Sequence, residues 1–229
     1  MKNVVITGAN RGLGLEFVRQ YLAEGWHVIA GCRAPEKATE LNGLQEQGNL
    51  MVLPLDVSKQ QSRENFCAML GDQAVHLFIN NAGIYGPSST PLGQVDEDQW
   101  LEVFRVNTVA PVKLIELMRK NLVSAGAANV AILSSKMGSI DDNGSGGLYM
   151  YRSSKSAVNS VTKSLAIDLA AEQINVVSLH PGWVLTDMGG PNALIDVTTS
   201  VSGMRRVLEN LNSSQSGSFI AYDGTIIPW

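Results

Sequence analysis

"NVVITGANRGLG", residues 3–14, decides how the rest of the chain is read. Val4, Val5 and Ile6 follow one another without polar alternation, as in a strand covered on both faces. The run enters a turn with glycines at 8, 12 and 14, and an amphipathic stretch follows with Leu13, Phe17, Tyr21 and Leu22. The G-x3-G-x-G spacing differs from the tighter G-x-G-x-x-G, but the physical logic is shared. One glycine permits the turn, one lets backbone approach a pyrophosphate, and one lets helix pack close to strand. A helix N-terminus adds free N–H groups and the positive end of a dipole. A bare βα turn with no ligand is the alternative for a lone glycine pattern. The strand before and the helix after favour a dinucleotide held by Gly8, Asn10, Arg11, Gly12, Leu13 and Gly14.

Outward from this turn, short apolar runs alternate with helix-like stretches. Residues 3–7, 27–32, 50–55, 75–79, 129–134, 174–179 and 218–222 read as strands. Residues 12–24, 36–47, 59–70, 96–125, 149–172 and 198–211 read as helices. That alternation predicts a doubly wound α/β domain with a parallel sheet, whose ligands bind beyond the carboxyl ends of the strands. The chain has 229 residues, 45% of them hydrophobic, which suits one domain spanning 1–229 better than two. A net charge of −4 gives no broad attraction to nucleic acid or anionic membrane. Cys32 and Cys67 lack metal-ligand spacing and read as reduced core residues, so no metal is expected. No signal peptide and no membrane-spanning run are read, which makes a soluble cytoplasmic protein the expectation.

Cofactor choice is read at the end of the second strand. NAD-binding chains usually carry an acid there for the ribose 2′-hydroxyl; this chain has Cys32 and Arg33. With Arg11 in the glycine turn, two guanidiniums suit a 2′-phosphate, which predicts NADP(H); solvated surface arginines are the alternative. Asp56 in "LDV" is placed toward adenine, with Val57 beside it. In "INNAG", Asn81, Ala82 and Gly83 sit at the sheet mouth, where they brace the sheet and meet cofactor ribose. In "HPGWVLTDM", Pro181 and Gly182 turn the chain, and Val184 and Thr186 face the nicotinamide carboxamide or the phosphates. His180, ahead of Pro-Gly, reads as structural.

"YRSSK", 151–155, places Tyr151 and Lys155 at i and i+4 on one helix face. An ammonium there is expected to lower the phenol's pKa and make a usable acid; an incidental Y-x-x-x-K is the alternative. Tyr149 has Ser153 at its i+4 position and carries no such pairing. Pro111 removes the N–H due to the Asn107 carbonyl, which then accepts from a water that can refill the proton lost by Tyr151. Ser134 and Ser135 point to opposite sides if their strand persists.

Taken in order, "TGANRGLG", "LDV", "NNAG", "VN", "SS..G", "YRSSK" and "PGWVLT" resemble the short-chain dehydrogenase/reductase family over nearly the whole chain. "SSKMGSI" and the closing "YDGTIIPW" are similar to its C-factor/sniffer-type carbonyl reductases. The resemblance implies a seven-stranded Rossmann sheet, hydride transfer with NADP(H), and a tetrad of Asn107, Ser135, Tyr151 and Lys155. It puts Ser135, not Ser134, on the substrate side, and Tyr151 and Lys155 also against the cofactor. It also leaves a homodimer or homotetramer open, paired through the 96–125 and 149–172 helices. The Ser135–Tyr151 gap of 16 residues exceeds the family's usual one, so the "DDNGSGG" insert is expected to shape the substrate side. Ile84, Tyr85, Met137, Ile140, Trp183 and Met188 are pocket candidates that read equally well as core. The expected activity is NADPH-dependent reduction of a ketone or aldehyde, and the large apolar pocket candidates favour an apolar or aromatic one. A low-turnover NADP(H)-binding signalling protein and an NADP-dependent alcohol dehydrogenase are the alternatives.

Overall fold

A computed structural model describes residues 1–45, 48–87 and 90–229. Seven strands form one sheet: β1 (Asn3–Thr7), β2 (His27–Cys32), β3 (Leu50–Pro54), β4 (Leu77–Asn80), β5 (Ala128–Leu133), β6 (Ile174–His180) and β7 (Phe219–Ala221). All pairings are parallel and the order is β3-β2-β1-β4-β5-β6-β7. The order reverses between β1 and β4, the switch point at which such sheets open a ligand crevice.

Strand periodicity builds two cores. Along β1, Val4 and Ile6 face one apolar cluster and Val5 the other; Val28 and Ala30 against Ile29, and Leu77 and Ile79 against Phe78, repeat the division. On the first side the strands meet α1 (Gly12–Ala23), through Phe17 and Val18, and α7 (Val197–Glu209), through Val201 and Met204. On the second side they meet α3 (Gln60–Leu70), α5 (Ala110–Val123) and α6 (Tyr149–Asp168), through Phe66, Leu114 and Val158. Each such large apolar side chain, taken fully from water, contributes roughly 1.5–3 kcal/mol. The expected doubly wound Rossmann fold is the one observed.

Two helical expectations differ from the structure. Over 36–47 there is a 3₁₀ turn, Pro35–Lys37, and one short helix, α2 (Thr39–Gly43); positions 46 and 47 lie outside the described residues. Pro35 and the Thr39–Gly43 composition support no longer run. The stretch 96–125 is interrupted at its proline. It comprises α4 (Glu97–Phe104), a π turn (Arg105–Val109) and α5. In the π turn the Ala110 N–H reaches the Arg105 carbonyl, five residues back. The wider turn accommodates Pro111, which has no N–H to offer and whose ring crowds a tighter one. Asp96 caps α4 by accepting the Gln99 N–H at 2.8 Å.

Among the described residues, no helix is long and apolar enough to cross a membrane, and no group of histidine, cysteine and acidic side chains is placed to hold a metal ion.

Candidate active site

β1 ends at the glycine turn. Gly8 and Gly12 hold φ of +64° and +53°, the left-handed region that favours glycine. At Gly14 the constraint is closeness: a Cβ there would lie 2.2 Å from the Gly8 carbonyl oxygen and 2.7 Å from Asn81 Nδ2. Asn81 donates Nδ2 to the Thr7 and Gly8 carbonyls, both at 3.0 Å, and the Ala82 N–H donates to Thr7 Oγ1 at 3.0 Å. The Asn81 amide nitrogen is therefore spent on the turn itself. No side chain caps the start of α1, so its first N–H groups stay open beside the turn. Bare backbone donors, left-handed glycines and a helix start suit the pyrophosphate of a dinucleotide. Leu13 packs on the first core and Asn10 is exposed at the turn.

The loop after β6 closes on this turn. Gly182 (φ +85°) has Ile195 and Tyr222 against it, and Val184 bridges Ile195. The Pro181 carbonyl accepts the Ser200 hydroxyl. Thr186 donates to the Val184 carbonyl at 3.3 Å and accepts the Gly189 N–H at 3.1 Å; its methyl would lie 3.5 Å from a Cβ on Gly12. After β3, Asp56 accepts from the Ser58 hydroxyl at 2.7 Å and pairs with Lys59 at 3.4 Å. Burial raises its pKa, but these partners outweigh burial and hold it below the usual carboxylate value. The Val57 carbonyl accepts from buried Arg63 at 2.6 Å. Arg33 is exposed at the end of β2. Arg11 is not free: its guanidinium pairs with Asp187 at 2.7 Å, across the mouth between the glycine turn and the β6 loop.

The tetrad residues converge at the carboxyl ends of β4 and β5. Asn107, 1% exposed in the π turn, accepts the Ile84 N–H on Oδ1 at 2.9 Å. Its Nδ2 donates to the Ile84 carbonyl at 2.9 Å and to Ser154 Oγ at 3.0 Å. Lys155 extends beneath this clamp, and its ammonium donates to the Leu133 carbonyl at 2.8 Å. A Cβ on Gly83 would come 3.3 Å from Asn107 Oδ1 and 3.6 Å from Lys155 Nζ, so a side chain there would crowd the two tetrad residues. Tyr151 lies on the same helix with Lys155 Nζ 5.7 Å from its ring centre. Ser135 begins the 3₁₀ turn Lys136–Gly138, accepts the Met137 N–H at 3.2 Å and lies close enough to the Tyr151 phenol to lower its pKa. Ser134 is turned inward and donates to Asn159 Oδ1 at 2.7 Å.

One electrostatic expectation is overturned. Burial pushes the Tyr151 phenol up to about 12; the hydrogen bond with Ser135 offsets only part of this. Burial likewise pulls the Lys155 ammonium down to about 8. The ammonium is engaged by the Leu133 carbonyl, and removal from water sets the phenol's direction. His180 is structural, as read: its Nδ1 accepts the Lys136 N–H at 3.2 Å, and burial lowers its pKa to about 4.

Of the pocket candidates, Tyr85 and Met137 lie at Tyr151, whereas Ile140, Trp183 and Met188 are more than half exposed. Three further residues brace the site, Gly138 of "SS..G", Ser154 of "YRSSK" and Asn159, and none was singled out for a role from the sequence. Gly138 lets the serine turn press on α6, where a Cβ would meet Lys155 backbone and Cβ at 2.7 Å. Ser154 links Asn107 to the Tyr151 carbonyl. Asn159 ties Ser134 to the Gly138 carbonyl. A buried polar residue one turn beyond Lys155 was the available hint for Asn159.

Comparison with known proteins places this geometry among relatives. A family model described as short chain dehydrogenase matches residues 2–196. The C-signal protein of Myxococcus xanthus is 43% identical over 155 residues, 68% of this chain and 93% of its own. The carbonyl reductase Sniffer of D. melanogaster superposes with a TM-score of 0.94 at 37% identity, covering 100% of both chains. An NADPH-bound carbonyl reductase from chicken fatty liver gives 0.94 at 34% identity, covering 100% of this chain and 99% of that one.

Proposed function

We propose that this chain, an oxidoreductase that belongs to the short chain dehydrogenase family, reduces a small ketone or aldehyde with NADPH. One observation carries the reading. Tyr151, Ser135, Lys155 and Asn107 gather at the carboxyl ends of β4 and β5, beside the bare approach at Gly83. The NADPH-bound relative and the glycine cradle support the cofactor.

Gly8, Asn10, Arg11, Gly12, Leu13 and Gly14 would hold the pyrophosphate side, and Arg11 and Arg33 the 2′-phosphate. Asp56, Val57, Asn81, Ala82 and Gly83 would meet the adenosine and ribose. Pro181, Gly182, Val184 and Thr186 would border the nicotinamide. Bound there, NADPH supplies a hydride to the carbonyl carbon. Ser135 and Tyr151 donate to the carbonyl oxygen, and Tyr151 gives its proton as alkoxide charge develops. Lys155 holds the ribose and stabilises the resulting phenolate. Pro111 offers no N–H to the Asn107 carbonyl, which we assign to a water that returns the proton through Lys155. The reverse oxidation uses the same residues.

An assay of NADPH oxidation with ketones, aldehydes and diketones tests the reading; no turnover on any of them would reject it. Tighter binding of NADH than of NADPH would reject the cofactor choice. The likeness to a C-signal protein favours a second reading, a nucleotide-holding signalling protein, which predicts NADPH binding without carbonyl turnover. Exposed Leu101, Val109, Leu117 and Val123 along α4–α5 and Ile167 on α6 support a homodimer, which light scattering of the purified protein would check.

A further inference from the structure

We propose that Tyr85 is the specificity-determining residue of this site: its ring closes the mouth between Tyr151 and the Ser135–Met137 turn, and substrate reaches the two hydroxyls by displacing it. The inference rests on the carbonyl-reducing function proposed above.

The Tyr85 ring lies 4.4 Å from the Tyr151 ring, centre to centre, with the planes tilted by 34°. Its hydroxyl extends to Met137 Sδ at 3.8 Å. Tyr85 thus bridges α6 and the serine turn, and Tyr151 is left 7% exposed. Among the described residues, the Tyr85–Met137 contact lies across the approach between Tyr151 and the serine turn. The far side of that contact is held, because Arg152 donates to the Met137 carbonyl at 3.3 Å and to Ser145 Oγ at 2.8 Å. With both backbones held, the contact opens by side-chain torsions, and the Tyr85 ring is the larger part of the cover.

The local backbone suits that task. Asn107 clamps both the N–H and the carbonyl of Ile84, which fixes the root of the tyrosine. Gly86 follows with φ +75°, a left-handed residue that turns the chain away at once. The ring can swing by its own side-chain torsions from a fixed root. A hydroxyl–thioether contact is weak, and an aromatic stack is readily exchanged for another. A substrate carrying a flat ring replaces the lost stack against Tyr85, whereas a small aliphatic carbonyl does not. The tyrosine therefore favours ring-bearing carbonyl compounds over small aliphatic ones.

The test compares an aromatic diketone with a small aliphatic aldehyde, using NADPH and three proteins: wild type, Tyr85→Phe and Tyr85→Ala. For Tyr85→Ala the expected result is a KM for the diketone raised about tenfold or more, and a KM for the aldehyde unchanged or lower. NADPH affinity should stay within about twofold. Tyr85→Phe keeps the ring and should restore the diketone KM. Nitration of Tyr151, read by mass spectrometry, should rise severalfold in Tyr85→Ala and not in Tyr85→Phe. Equal changes for both carbonyls, or Tyr151 nitration unmoved by ring removal, overturn the proposal. Wild-type protein inert toward every carbonyl rejects the proposed function instead, and the nitration result then decides the cover by itself.

Discussion

Near neutral pH, Tyr151 is a protonated phenol and Lys155 a buried ammonium, because burial pushes the first up to about 12 and the second down to about 8. The phenol is thus loaded to donate, and Tyr151→Phe should keep NADPH affinity while kcat falls by about 100-fold or more; unchanged turnover would remove the acid role. Lys155 carries a stability consequence. Its folded pKa lies below the ordinary 10.5, so its contribution is complete above that value and is lost as pH falls through about 8. At pH 7 the buried charge destabilises the fold by roughly 1.4 kcal/mol per pKa unit, an upper bound. Lys155→Met should therefore abolish turnover yet raise the melting temperature at pH 7 by a few degrees, and this gain should shrink by pH 10.5. A lower melting temperature at pH 7 would contradict the account.

At the scale of elements, the catalytic arrangement depends on two close approaches. The serine turn rests on α6 through Gly138, where an added Cβ meets Lys155 backbone at 2.7 Å. Gly138→Ala should push Ser135 away from Tyr151 and lower kcat about tenfold or more, with NADPH affinity less affected. Steady-state kinetics beside a binding titration would show whether the two separate. The second approach joins the glycine turn to the β6 loop through the exposed pair of Arg11 and Asp187. An exposed pair contributes about 0–1 kcal/mol, so Asp187→Asn should free Arg11 and tighten NADPH by up to about fivefold, leaving NADH unmoved. Equal effects on both cofactors would exclude Arg11 from the 2′-phosphate. These contacts were not readable beforehand, since Gly138 and Asp187 gain meaning only from what lies opposite them. The glycine turn and the Tyr151–Lys155 pair were readable, since both depend on local spacing.

Over the whole molecule, the serine turn and the residues just after it are tied to the end of β6 and to Trp229. His180 accepts the Lys136 N–H, while the Trp229 carbonyl accepts from the Asp141 N–H at 3.1 Å and from Ser139 Oγ at 3.4 Å. The imidazole has to be neutral to accept, and burial lowers its pKa from 6.5 to about 4. A lowered folded pKa means the contribution is complete above 6.5 and is lost as pH falls toward 4. Thermal melts at pH 7 and 4.5 should show a larger loss for wild type than for His180→Asn, whose amide oxygen accepts without titrating. Equal losses would assign acid sensitivity elsewhere.

The order of strands and helices, the doubly wound class and the pairing of Tyr151 with Lys155 on one helix face came from the sequence alone. They follow from hydrophobic period, β-branched runs and fixed i,i+4 spacing, which act within a few residues of one another. Tertiary structure decided the rest. It widened the helix at Pro111 into a π turn, turned the Asn81 amide onto the glycine turn, gave Arg11 to Asp187 and laid Tyr85 over Tyr151. It also reversed the expected shift of the Tyr151 phenol. Each of these depends on distance through space and on exclusion of water, quantities set by which surfaces meet after the chain has folded.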